Sequence, residues 1–129
     1  MQSGNESKTA PETSSAGRIA DKLEVYYFYR TQRCYSCLTI GEYVGKTMSE
    51  YYSKQIKQGK IDYQDINIDL AKNKELARKF QASGSSLFIN AVWGEKDNIE
   101  NVMEVWRLTG DEARFKNFLK QKIDTLLGL

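Results

Sequence analysis

Two cysteines separated by two residues, Cys34-Tyr35-Ser36-Cys37, are the side chains of this 129-residue chain best suited to chemistry, and the chain has no other cysteine. They lie directly after an apolar, strand-like run and at the predicted start of a long helix. The free N–H groups and the positive dipole of a helix start stabilise a thiolate. We therefore expect Cys34 to act as a nucleophile. Cys37, about one helical turn further on, would resolve the mixed disulfide that forms.

The composition excludes several other kinds of site. The chain has no histidine, so it cannot form a Ser-His or Cys-His nucleophile pair or a metal site with an imidazole ligand. Its 19 basic and 17 acidic residues give a net charge of +2, which does not predict nucleic-acid binding. No apolar run approaches the roughly 20 residues of a membrane span. Two cysteines are too few for a zinc or iron–sulfur site in one chain, although two chains together would supply four.

The N-terminal segment differs in composition from the rest of the chain. Residues 1–17 are rich in Ser, Thr, Gly, Asn, Glu and Lys and hold too few apolar side chains to offset the entropy of ordering. We expect residues 1–20 to form a disordered tether and residues 21–129 one folded domain. Such a tether often follows a cleaved signal peptide or a lipidated cysteine, and an ordinary frayed terminus is the alternative. With the dithiol, it favours an extracytoplasmic, lipid-anchored or periplasmic bacterial protein over a cytoplasmic one.

The hydrophobic pattern of residues 21–129 predicts the order β-α-β-α-β-β-α. Residues 23–29 are β-branched or aromatic at both alternating sets of positions, as in a strand covered on both faces. Apolar residues after Cys34 recur at helical spacing as far as Gln58-Gly59, which predicts one helix of about six turns. The remaining predicted elements are a strand from Ile61 to Asp69, a helix over residues 71–80 capped by Asp69, a hairpin of strands at residues 86–93 and 99–108, and a C-terminal helix capped by Asp111.

A CxxC motif between the first strand and its helix, within this order of elements, resembles the thioredoxin-like superfamily. Residues 66–69 and the helix after them look like the second strand and helix of that family, and residues 84–89 look like its third strand with the loop that faces the dithiol. The resemblance covers about residues 23–129. It implies an α/β fold with a central mixed four-stranded sheet and helices on both faces. It also implies exchange with a protein or small thiol/disulfide partner, without a metal or organic cofactor.

A narrower resemblance rests on Arg33 to Cys37 together with Ser85-Ser86-Leu87. These residues are similar to small bacterial and archaeal thioredoxin-like proteins catalogued as nitrophenyl compound nitroreductase subunits of the ArsF type. Ser86 stands where the superfamily usually has a cis-proline, and we expect a trans peptide there because a cis bond before a residue other than proline is costly. Phe28, six residues before Cys34, aligns with the buried acid of many thioredoxins, so the proton acceptor for Cys37 would be water or another acid.

Five further residues are predicted to neighbour the dithiol: Arg33, Tyr35, Ser36, Ser85 and Ser86. A cation at position 33 would favour a Cys34 thiolate, and a solvated surface arginine is the alternative. Tyr35 and Ser36 would adjust the reduction potential through local hydrogen bonds. The tyrosines of the first strand are expected to be core or boundary residues whose hydroxyls reach the surface.

Three functional hypotheses follow. The preferred one is a thiol:disulfide oxidoreductase, because a structural disulfide across two residues closes the kind of short loop that stabilises a fold least. The second is a binding subunit, of the nitroreductase-subunit kind, whose dithiol is structural or regulatory. The third is an iron–sulfur cluster that bridges two chains through Cys34 and Cys37, suggested by Ser86 in place of proline.

Overall fold

A computed structural model describes residues 19–129, so the predicted tether lies almost wholly outside the described part of the chain and stays a prediction. The strands are β1 (Lys22–Tyr29), β2 (Ile61–Asn67), β3 (Ser86–Val92) and β4 (Ile99–Asn101). The α-helices are α1 (Tyr35–Tyr51), α2 (Ser53–Lys57), α3 (Lys74–Phe80) and α4 (Glu112–Leu127), and 3-10 turns lie at Ala71–Asn73 and Met103–Arg107. Over residues 19–129, no helix has the length and apolar character to span a membrane.

The four strands form one mixed sheet in the order β2-β1-β3-β4. The central strand β1 runs parallel to β2 and antiparallel to β3, and β3 and β4 form an antiparallel hairpin. Helices α1 and α4 cover one face of the sheet, and α3 covers the other. The predicted α/β architecture, a mixed four-stranded sheet with helices on both faces, is confirmed.

The strand β1 contributes to a separate core on each face. Leu23, Val25 and Tyr27 pack against α1 and α4 in the larger core. Tyr26 and Phe28 point the opposite way, into a smaller aromatic core under α3. Successive side chains of a strand point to opposite faces, so a strand covered on both faces carries apolar residues at both alternating sets of positions, as the sequence predicted for β1.

The single long helix predicted after Cys34 is wrong, because the helix is interrupted at Tyr52. Tyr52 has φ −130° and ψ 16°, outside the helical region, and separates α1 from α2. Its ring is buried, and its hydroxyl donates to the Asp124 carboxylate at 2.6 Å and to the Lys120 carbonyl at 3.0 Å on α4. The interruption thus coincides with contacts to a distant helix that periodicity does not report.

Two further elements also differ from prediction. Asp69 does not cap a helix: residues 71–73 form a 3-10 turn, and α3 begins at Lys74 without a side-chain cap. The fourth strand ends at Asn101 rather than continuing to residue 108. Val102 and Val105 are both buried, and their spacing of three suits the 3-10 turn that follows rather than a strand. The predicted cap of α4 is confirmed, because the Asp111 carboxylate accepts from the Arg114 N–H at 3.1 Å.

Candidate functional site

Cys34 and Cys37 form a disulfide at the N-terminus of α1, with their Cα atoms 5.1 Å apart. Cys34 is the N-cap residue, and its Sγ accepts a hydrogen bond from the Cys37 N–H at 3.1 Å. The first turn of α1 carries no acidic side chain. Nothing in that turn therefore opposes the positive end of the helix dipole, which favours negative charge on the Cys34 sulfur once the disulfide opens.

The two cysteines differ in accessibility. Cys34 is exposed, whereas Cys37 is 8% exposed and lies against the body of the domain. Tyr35, between them, is 85% exposed, and Ser36 is half-buried. An external sulfur atom can therefore approach Cys34, while Cys37 is positioned to react only with its neighbour.

The buried side chain closest to Cys37 in the hydrogen-bond network is Tyr27 of β1. Its hydroxyl donates to the Cys37 carbonyl oxygen, ten residues further along the chain. The ring is 1% exposed and stacks on Tyr29 with centroids 5.8 Å apart. The expectation that the hydroxyls of the β1 tyrosines reach the surface is wrong for Tyr27, because the hydroxyl ends under the first turn of α1.

Arg33 is exposed and lies over the Tyr29 ring of this pair. Its guanidinium carbon lies 4.2 Å from the centroid of the Tyr29 ring, a cation–π arrangement. Burial raises the pKa of the Tyr27 hydroxyl, and the Arg33 and Ser85 side chains partly oppose that rise. The one hydrogen bond that this hydroxyl donates is the bond to the Cys37 carbonyl.

The loop before β3 contributes Ser85 and Ser86. Ser86 is buried and its hydroxyl donates to the Gly84 carbonyl at 3.0 Å, within its own loop. Residues 19–129 contain no cis peptide bond, so the peptide before Ser86 is trans. Arg33 and Ser85 both influence the pKa of the Tyr27 hydroxyl, Tyr35 lies on the outer surface, and Ser36 is half-buried. The functional roles of these five residues stay predictions.

Two aspartates near the site have separate surroundings. Asp69 accepts from the Thr31 N–H at 2.8 Å and pairs with Arg30 at 3.4 Å, and the Thr31 bond, with Arg30 adding to it, lowers the pKa of its carboxyl. Asp65 lies on the α1 side of β2 and accepts from the Tyr63 hydroxyl at 3.0 Å. Although Asp65 is exposed along one side, desolvation raises the pKa of its carboxyl, against the opposing effects of Tyr63 and Arg33.

Solved structures resemble the fold of this chain over most of their length. An uncharacterised thioredoxin-like protein from Clostridium perfringens is 15% identical, matches 84% of this chain and 74% of its own, and superposes with a TM-score of 0.52. The Trx4 domain of ERdj5 is 13% identical, with 88% and 92% of the two chains covered and a TM-score of 0.51. The fold is thioredoxin-like. No protein-family model and no curated protein sequence matches the chain.

Within the thioredoxin-like fold, the residue on the buried side of the dithiol is Tyr27 and not Phe28. Counting six residues back from Cys34 leads to Phe28, but that ring points to the opposite face of the sheet, into the core under α3. Tyr27 is in phase with Leu23 and Val25, so the sequence predicts a core or boundary residue there and not a neighbour of the dithiol. The one sequence signal that could have placed Tyr27 beside the dithiol is its position near the end of the strand that leads into Cys34, on the face that α1 covers.

Proposed function

We propose that the protein is a thiol:disulfide oxidoreductase in which Cys34 attacks and Cys37 resolves. The observation that carries the proposal is the asymmetry of the Cys34–Cys37 disulfide. One sulfur is exposed at a helix N-terminus, and the other is buried at its side. This asymmetry supports separate roles for the two thiols, in which Cys34 attacks the substrate and Cys37 resolves the mixed disulfide. The thioredoxin-like fold is consistent with this chemistry, although a fold alone does not assign it.

The proposed reaction consists of two exchanges. In the first, the Cys34 thiolate attacks one sulfur of a substrate disulfide; a bond forms between these atoms, and the other substrate sulfur leaves with the bonding electrons and takes up a proton. In the second, Cys37 loses its proton and attacks Cys34, and the remaining substrate sulfur leaves as a thiolate. The substrate gains two electrons and the dithiol becomes the Cys34–Cys37 disulfide. A protein or small-thiol reductant restores the dithiol, and the same steps in reverse oxidise a substrate.

The test compares Cys34→Ser with Cys37→Ser on a model disulfide such as insulin or oxidised glutathione. We expect the Cys34 variant to lose exchange activity almost completely. We expect the Cys37 variant to accumulate a stable mixed disulfide through Cys34, visible as a mass increase that dithiothreitol removes. Full activity in the Cys34 variant would contradict the proposal, as would equal trapping by both single-cysteine variants.

The second candidate is a binding subunit that retains the fold and uses the disulfide structurally, as the resemblance to ArsF-type nitroreductase subunits suggests. The burial of Cys37 supports it, because a buried thiol is protected from external reagents. Under this hypothesis both serine variants would bind their partner normally, and the reduction potential would lie below about −300 mV. The proposed oxidoreductase would instead lie between about −270 and −120 mV, the range of known members.

The bridging iron–sulfur hypothesis makes a different prediction. It requires both cysteines as thiolate ligands from each of two chains. The low exposure of Cys37 places one of those ligands beneath the surface of its own chain, which weighs against the hypothesis. Protein purified without oxygen would be coloured and would contain iron, with one cluster for every two chains, if the hypothesis held. Colourless, iron-free protein with active disulfide exchange would exclude the cluster hypothesis and retain the oxidoreductase hypothesis.

We also propose an extracytoplasmic location. Two features support it: the polar composition of residues 1–17, and a disulfide that an oxidising compartment would maintain. Fractionation of the native cells followed by immunoblotting would test it. Recovery of the protein only with cytoplasmic markers would contradict this location without affecting the proposed chemistry.

A further inference from the structure

We propose that Tyr27 is a positioning residue for the dithiol. Its hydroxyl anchors the first turn of α1 to the central strand and so holds Cys37 where it can attack Cys34. This inference rests on the proposed exchange reaction, since it assigns a residue to the second of its two steps. Tyr27 does not touch the substrate and takes no part in bond making.

The hydroxyl anchors the first turn of α1 to the central strand. It donates to the Cys37 carbonyl in that turn. The Tyr27 ring stacks on Tyr29, and the Arg33 guanidinium, from the loop before α1, lies 4.2 Å from the centroid of the Tyr29 ring. Arg33 and Ser85, from the loop before β3, also oppose the rise in the pKa of the Tyr27 hydroxyl that burial causes. One buried oxygen thus bonds to Cys37 in the neighbourhood of the residue before Cys34.

The ring is fixed as firmly as the hydroxyl. Tyr27 lies near the C-terminal end of the central strand, paired with Asp65 of β2 on one side and Leu87 of β3 on the other. Gly41 of α1 leaves the space that the ring fills, since a methyl group at that position would lie 2.7 Å from Tyr27 Cε2. The strand and the glycine therefore hold the ring, and the ring holds the hydroxyl against the turn that carries both cysteines.

The consequence for the reaction is a high effective concentration of Cys37 near Cys34. Attack within a mixed disulfide is fast when the two sulfurs are held in the right geometry, and it slows when the resolving thiol samples other positions. The same effective concentration sets how strongly the Cys34–Cys37 disulfide is favoured over a glutathione disulfide. Loss of the hydroxyl should therefore slow the second step and make the reduction potential less negative.

The experiment compares Tyr27→Phe with Tyr52→Phe in the full chain. Both tyrosines are 1% exposed and donate a hydrogen bond from a buried hydroxyl, but Tyr52 acts at the far end of α1, on Asp124 and Lys120. The equilibrium between dithiol and disulfide is measured by thiol labelling in a glutathione series. The lifetime of the Cys34 mixed disulfide is measured in the same variants after mixing with a disulfide-bonded peptide.

We expect Tyr27→Phe to lower the effective concentration of the thiol pair about three- to tenfold, where tenfold corresponds to about 30 mV, and to lengthen the mixed-disulfide lifetime by a similar factor. Tyr52→Phe should leave both quantities unchanged, although both variants lose stability in urea. Equal potentials for wild type and Tyr27→Phe would overturn the inference, and so would an equal shift in the Tyr52 variant. If wild-type Cys34 forms no mixed disulfide at all, the proposed function fails. The position of the glutathione equilibrium in Tyr27→Phe, compared with wild type, would still show separately whether Tyr27 positions the thiol pair.

A second variant guards against a folding defect in Tyr27→Phe. Ser85→Ala removes a half-buried loop hydroxyl whose influence lowers the pKa of the Tyr27 hydroxyl, and it leaves the ring and the core intact. A shift of the potential in the same direction, about two- to threefold in effective concentration, supports the shared role of the hydroxyl. If Tyr27→Phe does not fold, an unchanged potential in folded Ser85→Ala overturns the inference.

Discussion

At the scale of single residues, two glycines of α1 determine how closely the helix approaches the sheet. A methyl group at Gly41 would lie 2.7 Å from Cε2 of the Tyr27 ring, whereas one at Gly45 would lie 3.3 Å from the Tyr63 hydroxyl. The Tyr27 ring is buried on the central strand and cannot move aside, but the hydroxyl of Tyr63 is the end of a half-buried side chain whose hydrogen-bond partner, Asp65, is exposed and can move with it. The same substitution should therefore have opposite effects at the two positions.

We expect Gly41→Ala to lower the free energy of unfolding by about 1 to 3 kcal/mol, because overpacking exceeds the gain in helix propensity. Gly45→Ala should be neutral or stabilising by up to about 1 kcal/mol, since a small movement of Tyr63 relieves the contact. Urea unfolding of both variants, with the disulfide intact, checks the pair. Equal destabilisation at both positions would show that the close contact with Tyr27 is not what distinguishes them.

At the scale of elements, the loop from β1 to α1 is held by the segment that follows β2. Asp69 accepts from the Thr31 N–H and pairs with Arg30, and the Asn67 amide donates to the Thr31 hydroxyl at 3.1 Å. These contacts take Asp69 away from the predicted helix cap. They connect the loop that leads into Cys34 to a neighbouring strand rather than to its own helix.

The pH dependence of stability should reveal this connection. The pKa of the Asp69 carboxyl is lowered by its hydrogen bond from Thr31, so its contribution is present above the ordinary carboxyl pKa near 4 and is lost as pH falls through the folded-state pKa. Asp69→Asn should therefore destabilise the protein at neutral pH, with a difference from wild type that disappears in acid. Urea unfolding between about pH 7 and pH 2.5 measures it.

Asp65→Asn is the matched control, and its expected effect on stability at neutral pH has the opposite sign. Desolvation raises the pKa of the Asp65 carboxyl, so its ionisation in the folded state costs stability as pH rises above the ordinary value near 4. Replacing it should stabilise the protein at neutral pH and have no effect in strong acid. If both variants changed stability in the same direction at pH 7, the assignment of opposite electrostatic environments to the two aspartates would be wrong.

At the scale of the whole molecule, the central strand couples two cores of unequal size. The core between the sheet and α1 and α4 is large and mostly aliphatic, and the one under α3 is small and aromatic. In the small core, the Phe80 ring lies 5.2 to 5.7 Å from the rings of Tyr26, Phe28 and Phe88. Because β1 contributes to both cores, loss of packing in one core should also destabilise the other.

We expect Phe80→Ala to lower the free energy of unfolding by about 3 to 5 kcal/mol while the transition remains cooperative. Tryptophan fluorescence and far-ultraviolet circular dichroism should give the same urea midpoint. Leu38→Ala, at a half-exposed position on α1, is the control and should change stability by no more than about 0.5 kcal/mol. Separate midpoints for the two signals in Phe80→Ala would mean that the cores unfold independently.

The sequence by itself determined the order of elements, the double burial of β1, the position of the CxxC motif at a helix start and the cap at Asp111. Each of these depends on signals that are local along the chain: the period of apolar residues, the residue type before a helix, and the spacing of two cysteines. The Cys34-to-Cys37 spacing alone places the second thiol within one helical turn of the first. The parallel and antiparallel pairing of β1 came with the family resemblance and was confirmed by the structure.

Only the tertiary structure decided which groups meet the dithiol and where several elements end. Tyr27 contacts Cys37 from another element, Asp69 binds a loop 38 residues away, and the buried Tyr52 at the end of α1 bonds to α4. Each of these contacts joins residues that are distant in sequence, and a tyrosine or aspartate has the same local signature whichever partner it finds. The physical reason is that hydrogen bonds and packing form between side chains that the fold brings together, whereas periodicity and capping report only on neighbours along the chain.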